Sequence, residues 1–226
     1  RLFSDFSAMA NSPALGGERG VQRPIWVTEF GYYADDDPGP LALPLPLLGS
    51  VASEREAASF TVQAMVAMLS QGATRVYLQA FPEWANLSAS FTDPLFEWDG
   101  QPRKTFAAVA ALASLLGPHP RPAGREVVAG VVQAYLFDCG DSAVAAIWPI
   151  PLHAPARRVV ITPPGPVVPR ILDEVGNEIG RPPADGSNAI AVPIDRGQTY
   201  VMLAGGDVED LRVMLRAAAL PPSSPD

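Results

Sequence analysis

RPIWVTEFGYY, Arg23 to Tyr33, sets an ionisable carboxylate, Glu29, at the end of a short apolar run. Ile25, Trp26 and Val27 are strand formers in a near-continuous apolar stretch, the pattern of a parallel strand covered on both faces. Pro24 fits as the first residue of that strand, where no ladder donor is needed. A doubly covered strand has no ordinary use for a charge. Thr28 and Glu29 fall at its carboxyl end, with Gly31 and an acidic, Pro- and Gly-rich loop over 34–40 directly after. In α/β barrels, catalytic groups collect at that end of the strands.

Working outward, 2–10 reads as a helix and 12–23 as a Gly/Pro-containing connection. The loop 35–49 holds four prolines and is too long for a minimal strand-to-helix turn, as loops that shape a cleft often are. Ser53 with Glu56 three residues on forms a capping box, and Gly72 stops the helix that follows. Within it Ala57, Phe60, Thr61, Ala64, Met65 and Met68 recur at steps of three and four, a packing stripe in which the methionines are core filler. Residues 75–80 read as a second strand, with 81–84 at its carboxyl end. A last helix runs from Pro102, as a first-turn residue, to Leu116, closed by Gly117 and Pro118.

Beyond His119 the pattern changes to short β-rich runs at 127–137, 142–148, 158–162, 168–173, 189–194 and 199–203, separated by Gly, Pro, Asn and Asp. That spacing predicts an antiparallel β-sandwich, with Val175 to Glu178 as a hairpin turn. Its strands are expected to pair among themselves. Asp207 to Leu220 reads as a short helix and the final PPSSPD as a disordered tail. The expected division is 1–117 as one α/β unit, 118–206 as the β-sandwich, and 207–226 as helix and tail.

With 48% hydrophobic and 18% charged residues, the 226-residue chain can bury one or two cores. The formal charge is −8. Of 16 basic and 24 acidic residues, 7 and 12 fall in 1–117, which leaves 9 and 12 in the remainder, so both parts are acidic. Nucleic acid and anionic membrane are therefore poor partners. No apolar run is long enough to span a bilayer, and no charged-then-apolar leader opens the chain, which begins at Arg1. The reading is of a soluble protein, cytoplasmic or secreted. Cys139 is the single cysteine. A thiolate nucleophile needs a histidine partner, and His119 and His153 both sit among prolines. No metal or cofactor is expected: Cys/His clusters, HExxH, EF-hand, GxSxG and Walker patterns are missing from the sequence, and Asp35, Asp36 and Asp37 read as a solvated acidic loop rather than a calcium site.

The motifs carry a resemblance. WVTEFG at 26–31 resembles the seventh strand of the clan of retaining glycoside hydrolases built on a TIM barrel, most closely its β-xylosidase and iduronidase-like branch. SEREAASFTVQAMVAMLSQGATRVYLQAF, 53–81, is similar to that clan's seventh helix and eighth strand. FEWDGQPRKTFAAVAALASLLG, 96–117, is similar to its entry into the last barrel helix. The resemblance covers roughly the first half of the chain, and a small C-terminal β-sandwich against the barrel is common in this branch. It implies a partial (β/α)8 barrel followed by a β-sandwich, an oligosaccharide or glycoside substrate, and Glu29 as nucleophile. It also implies that the first six strands, an N-terminal barrel portion, lie outside this chain.

Retention requires two carboxylates about 5 to 5.5 Å apart, one as nucleophile and one as acid/base. In the resembling clan the acid/base Glu follows an Asn at the end of the fourth strand. The one Asn-Glu pair here, Asn177-Glu178, belongs to the predicted β-hairpin. Glu83 is a candidate contact to a substrate hydroxyl, or a rim charge. Phe81 and Trp84, with Tyr32 and Tyr33 from the neighbouring loop, offer apolar faces for a sugar ring, or packing at the barrel mouth. For Glu29 the plain alternative is a structural ion pair. Two function classes stay open: a retaining glycosidase whose acid/base residue is missing from this chain, inactive as a fragment, and a non-catalytic carbohydrate-binding or scaffolding protein.

Overall fold

The structure, a computed structural model, describes residues 8–9, 12, 24–30, 33–34, 50–51, 53–78, 95–96, 100–151, 156–163, 168–180, 188–195 and 197–221. The expected helix over 2–10 lies mostly outside these residues, and 222–226 of the tail wholly so. Strand β1 (Ile25–Val27) follows Pro24. Two short strands, β2 (Tyr33–Ala34) and β3 (Ser50–Val51), pair in parallel and bracket the long loop. Helix α1 (Glu54–Ser70) begins where the Ser53 hydroxyl accepts the Glu56 backbone N–H at 3.2 Å, and Gly72, at φ +98°, ends it. Its buried residues include Ala58, Thr61, Val62 and Val66. The packing stripe is thus rotated from the expected one, because α1 is covered on more than one side and the β-branched valines, not Met65 and Met68, fill the tightest contacts.

Strand β4 (Ala73–Val76) starts two residues earlier than the sequence suggests and pairs with β1 in parallel, Ile25 opposite Ala73 and Val27 opposite Val76. The Tyr77 N–H extends the ladder to the Val27 carbonyl at 2.8 Å. Trp26 departs from the doubly covered pattern: among the described residues it is 52% exposed, while Ile25 is buried. Helix α2 (Lys104–Leu116) begins after Pro102, not at it. Arg103 is the cap residue and provides no side-chain cap; its own N–H and guanidinium are engaged by the Leu95 and Phe96 carbonyls. The Lys104 N–H is met instead by the Glu54 carboxylate of α1 at 3.1 Å. A cap delivered from fifty positions away leaves no local signature.

The remaining strands are β5 (Arg121–Val128), β6 (Val132–Asp138), β7 (Ser142–Pro149), β8 (Arg157–Ile161), β9 (Arg170–Leu172), β10 (Glu178–Gly180), β11 (Ile190–Ile194) and β12 (Thr199–Ala204), followed by helix α3 (Val208–Arg216). The run 127–137, expected as one strand, is two. Ala129 and Gly130 take positive φ, +49° and +72°, and fold β5 back on β6. The hairpin at 173–177 forms as expected, since the Asp173 carboxylate accepts the Val175 and Asn177 N–H groups.

Six strands form one antiparallel sheet in the order β10-β9-β12-β7-β6-β5, and β8 pairs with β11 separately. β7 lies near the middle and is buried along its whole length. Its side chains alternate: Ala143, Ala145 and Ile147 join a core with Val159, Ile161, Val192, Ile194 and residues of α3, while Val144, Ala146 and Trp148 join a core with Ala58, Val62, Val66, Ala108, Leu112 and Leu116 of α1 and α2. The sheet is therefore a middle layer, with β8, β11 and α3 on one face and the two helices on the other.

Candidate functional site

Glu29 lies two residues past β1, at the carboxyl end of a parallel pair. It is exposed, and it makes no side-chain hydrogen bond or ion pair among the described residues. The structural ion pair that would explain a carboxylate here is not found among them. Tyr32, Phe81, Glu83 and Trp84, and the acidic loop 35–37, lie outside the described residues.

On the β1–β4 pair that precedes Glu29 the structure gathers three residues that sequence reasoning did not single out as site residues. Trp26 on β1 and Tyr77 past β4 sit with ring centroids 6.2 Å apart at 54°. The Arg75 guanidinium lies 4.9 Å from the Trp26 ring centroid and donates to the Tyr77 hydroxyl at 3.3 Å. The cation over the indole face and the tilted ring pair fix one another. Tyr77 is 41% exposed. The signal was available in the pairing: Trp26 stands opposite Arg75 in a parallel register, and Tyr77 follows Arg75 by the two-residue repeat of a strand.

A cavity of about 710 Å³ opens between β4 and α2, floored by Leu69, Val76, Leu112 and Leu116 with Arg75 and Tyr77 at its side. Neither Glu29 nor any residue of β1 lines it, so it is not the seat of Glu29 chemistry. The Cys139 thiol is held away from the thiolate form: burial first, then the Asp138 and Asp141 charges, push it up to about 11. Among the described residues no three His, Cys, Asp or Glu side chains group as metal ligands, and no helix is long and apolar enough to cross a membrane.

No protein-family model and no curated protein matches the chain in sequence. Among solved structures it is similar to a family 39 glycoside hydrolase from the gut symbiont Bacteroides cellulosilyticus WH2, with a TM-score of 0.60 and 14% identity over 89% of this chain and 37% of that one. It is also similar to a family 30 endoxylanase from Clostridium papyrosolvens C71, TM-score 0.54 and 10% identity, covering 89% of this chain and 46% of that one. A family 30 subfamily 8 xylanase from Clostridium acetobutylicum follows at TM-score 0.53 and 9% identity, covering 80% and 43%. The chain thus spans less than half the length of each. The fold it shares is that of glycoside hydrolases of families 39 and 30, which are TIM-barrel proteins.

Proposed function

We propose that this chain is the C-terminal part of a retaining glycoside hydrolase, with Glu29 as nucleophile. The observation that carries the reading is an exposed carboxylate, without a side-chain partner among the described residues, at the carboxyl end of one of two parallel strands joined through a helix, the unit from which a (β/α)8 barrel is built. The shared fold supports the same reading. Glu29 attacks the anomeric carbon as the glycosidic bond breaks, and a second carboxylate protonates the leaving oxygen. Water, deprotonated by that second group, then releases the sugar from the glycosyl ester. The second carboxylate and the other barrel strands belong, on this reading, to an N-terminal portion outside this chain. β1 and β4 supply two of the eight strands that a closed barrel requires. The substrate is an oligosaccharide or glycoside, neutral or weakly acidic, held against Tyr32, Phe81, Glu83 and Trp84.

The test uses the complete enzyme. Proton NMR of the first product is expected to show the substrate's own anomer, and Glu29→Gln to lower turnover by a factor on the order of 10⁴. Release of the inverted anomer overturns the nucleophile assignment. Carbohydrate binding with no hydrolysis by the unmutated protein favours the non-catalytic alternative.

A further inference from the structure

The first turn of α1 is a junction. Its cap residue Ser53 stands two positions after β3, and β3 pairs with β2, which begins four positions after Glu29. The segment leaving Glu29 is thereby zipped, Tyr33 beside Ser50 and Ala34 beside Val51, onto the segment entering α1. From the same turn Arg55 reaches across to the β unit. Its Nε donates to the Glu174 carboxylate at 3.1 Å, in the β9–β10 turn, and its Nη2 to Asp195 at 3.0 Å, just past β11. Glu174 is itself held: Gln198 donates to its backbone carbonyl at 3.3 Å, and Gly197 makes room for its carboxylate, since a Cβ there would stand 3.1 Å from Oε2.

From this geometry we propose that Arg55 is a positioning residue, which couples two turns of the β unit through β3 and β2 to the segment carrying Glu29. Only its consequence for catalysis rests on the nucleophile reading. Both ion pairs are substantially exposed, with Arg55 at 51%. Pairs of this kind add little to global stability. Their effect is local, because they join turns that no backbone ladder connects to α1 and thereby order the β2–β3 zip.

Hydrogen exchange on this chain tests the coupling. Arg55→Met is expected to speed exchange at 33–34 and 50–51 by about two- to tenfold, with the β7 amides unchanged and Arg55→Lys close to the parent. Gly197→Ala, which crowds the Glu174 carboxylate away from Arg55, is expected to give the same pattern. So is about 1 M salt on the parent, where the screening length shrinks to about 3 Å. Unchanged exchange at those residues, or equal acceleration across the sheet, overturns the proposal. In the complete enzyme, Arg55→Met is expected to lower kcat by the same factor with KM held. Altered exchange alongside full turnover in Glu29→Gln sinks the nucleophile reading and leaves the coupling standing. A dead Glu29→Gln with Arg55→Met unchanged in exchange and kcat does the reverse.

Discussion

The missing side chain of Gly180 lets β10 lie against β9. A Cβ built there would stand 2.6 Å from Cγ1 and 2.7 Å from Cβ of Ile171, which is fully buried. Backbone conformation is no obstacle, because Gly180 is not among the positive-φ glycines. The cost is purely steric, and Ile171 has no room to retreat. Gly180→Ala is expected to destabilise the chain by about 1–3 kcal/mol, as overpacking does, read as a lower midpoint in urea. An unchanged midpoint would mean that the edge strand shifts freely. Sequence legibility at this scale was uneven. Glu29 stood out because its charge closes an apolar run. Trp26 was misread as covered because an apolar run does not reveal which face a neighbour leaves open. Arg75 and Tyr77 passed unnoticed because a cation-and-ring cluster is assembled across strands.

Among the elements, α3 is fixed most specifically. Asp207 caps it, accepting the Glu209 and Asp210 N–H groups, while Leu211, Met214 and Leu215 turn into the core. Arg212 and Arg216 then converge on one carboxylate, Glu126 of β5, at 2.6 and 2.9 Å, and Arg212 also donates to the Ala123 carbonyl. The Arg216 hydrogen bond is the main cause that lowers the Glu126 carboxyl below its ordinary 4.5; burial opposes it, and Arg212 adds to the lowering. A carboxylate with a depressed folded value stabilises the fold above the ordinary value, and that contribution drains away as pH falls through the folded one. Glu126→Gln is therefore expected to cost about 1–2 kcal/mol near neutrality. The gap from the parent should narrow below pH 4.5. Urea titrations of both proteins across that range check it, and a gap that widens in acid contradicts the assignment. The cap at Ser53 was legible because its partner lies within one turn. The start of α2 was not, since its cap comes from Glu54.

For the whole molecule, the sharing of one core between the helices and the sheet matters most. Phe137, Val144, Ala146, Trp148, Leu172 and Tyr200 are buried against α1 and α2 rather than against another sheet. Residues 118–226 produced alone would present that face to water, an apolar patch of the size that drives association. We expect such a piece to bind a hydrophobic dye, to show a weakened near-ultraviolet signal from Trp148, and to lose cooperative unfolding, although its strands pair internally. Leu112→Ala in the intact chain should cost about 2–5 kcal/mol from the same interface. Cooperative unfolding of the excised piece at the midpoint of the whole chain would show that the helices are dispensable to it.

By itself the sequence determined the order of elements: a strand with Glu29 just past its end, a capped helix, a second strand, a helix closed by glycine, then short strands with turn residues between them. These are local matters, set by side-chain period, by glycine where positive φ is required, and by caps within a turn. It also placed a carboxylate just past a strand end, since that is written in residue types. Tertiary structure alone decided what covers what. The same alternation along β7 serves a sheet covered by another sheet or by helices, and only packing set the β8–β11 pair and α3 on one face and the two helices on the other. Whether Trp26 faces water, how Arg55 joins two distant turns, and which residue caps α2 depend on segments brought together from far along the chain. No local pattern encodes such meetings, because their energy resides in the contact and not in either segment.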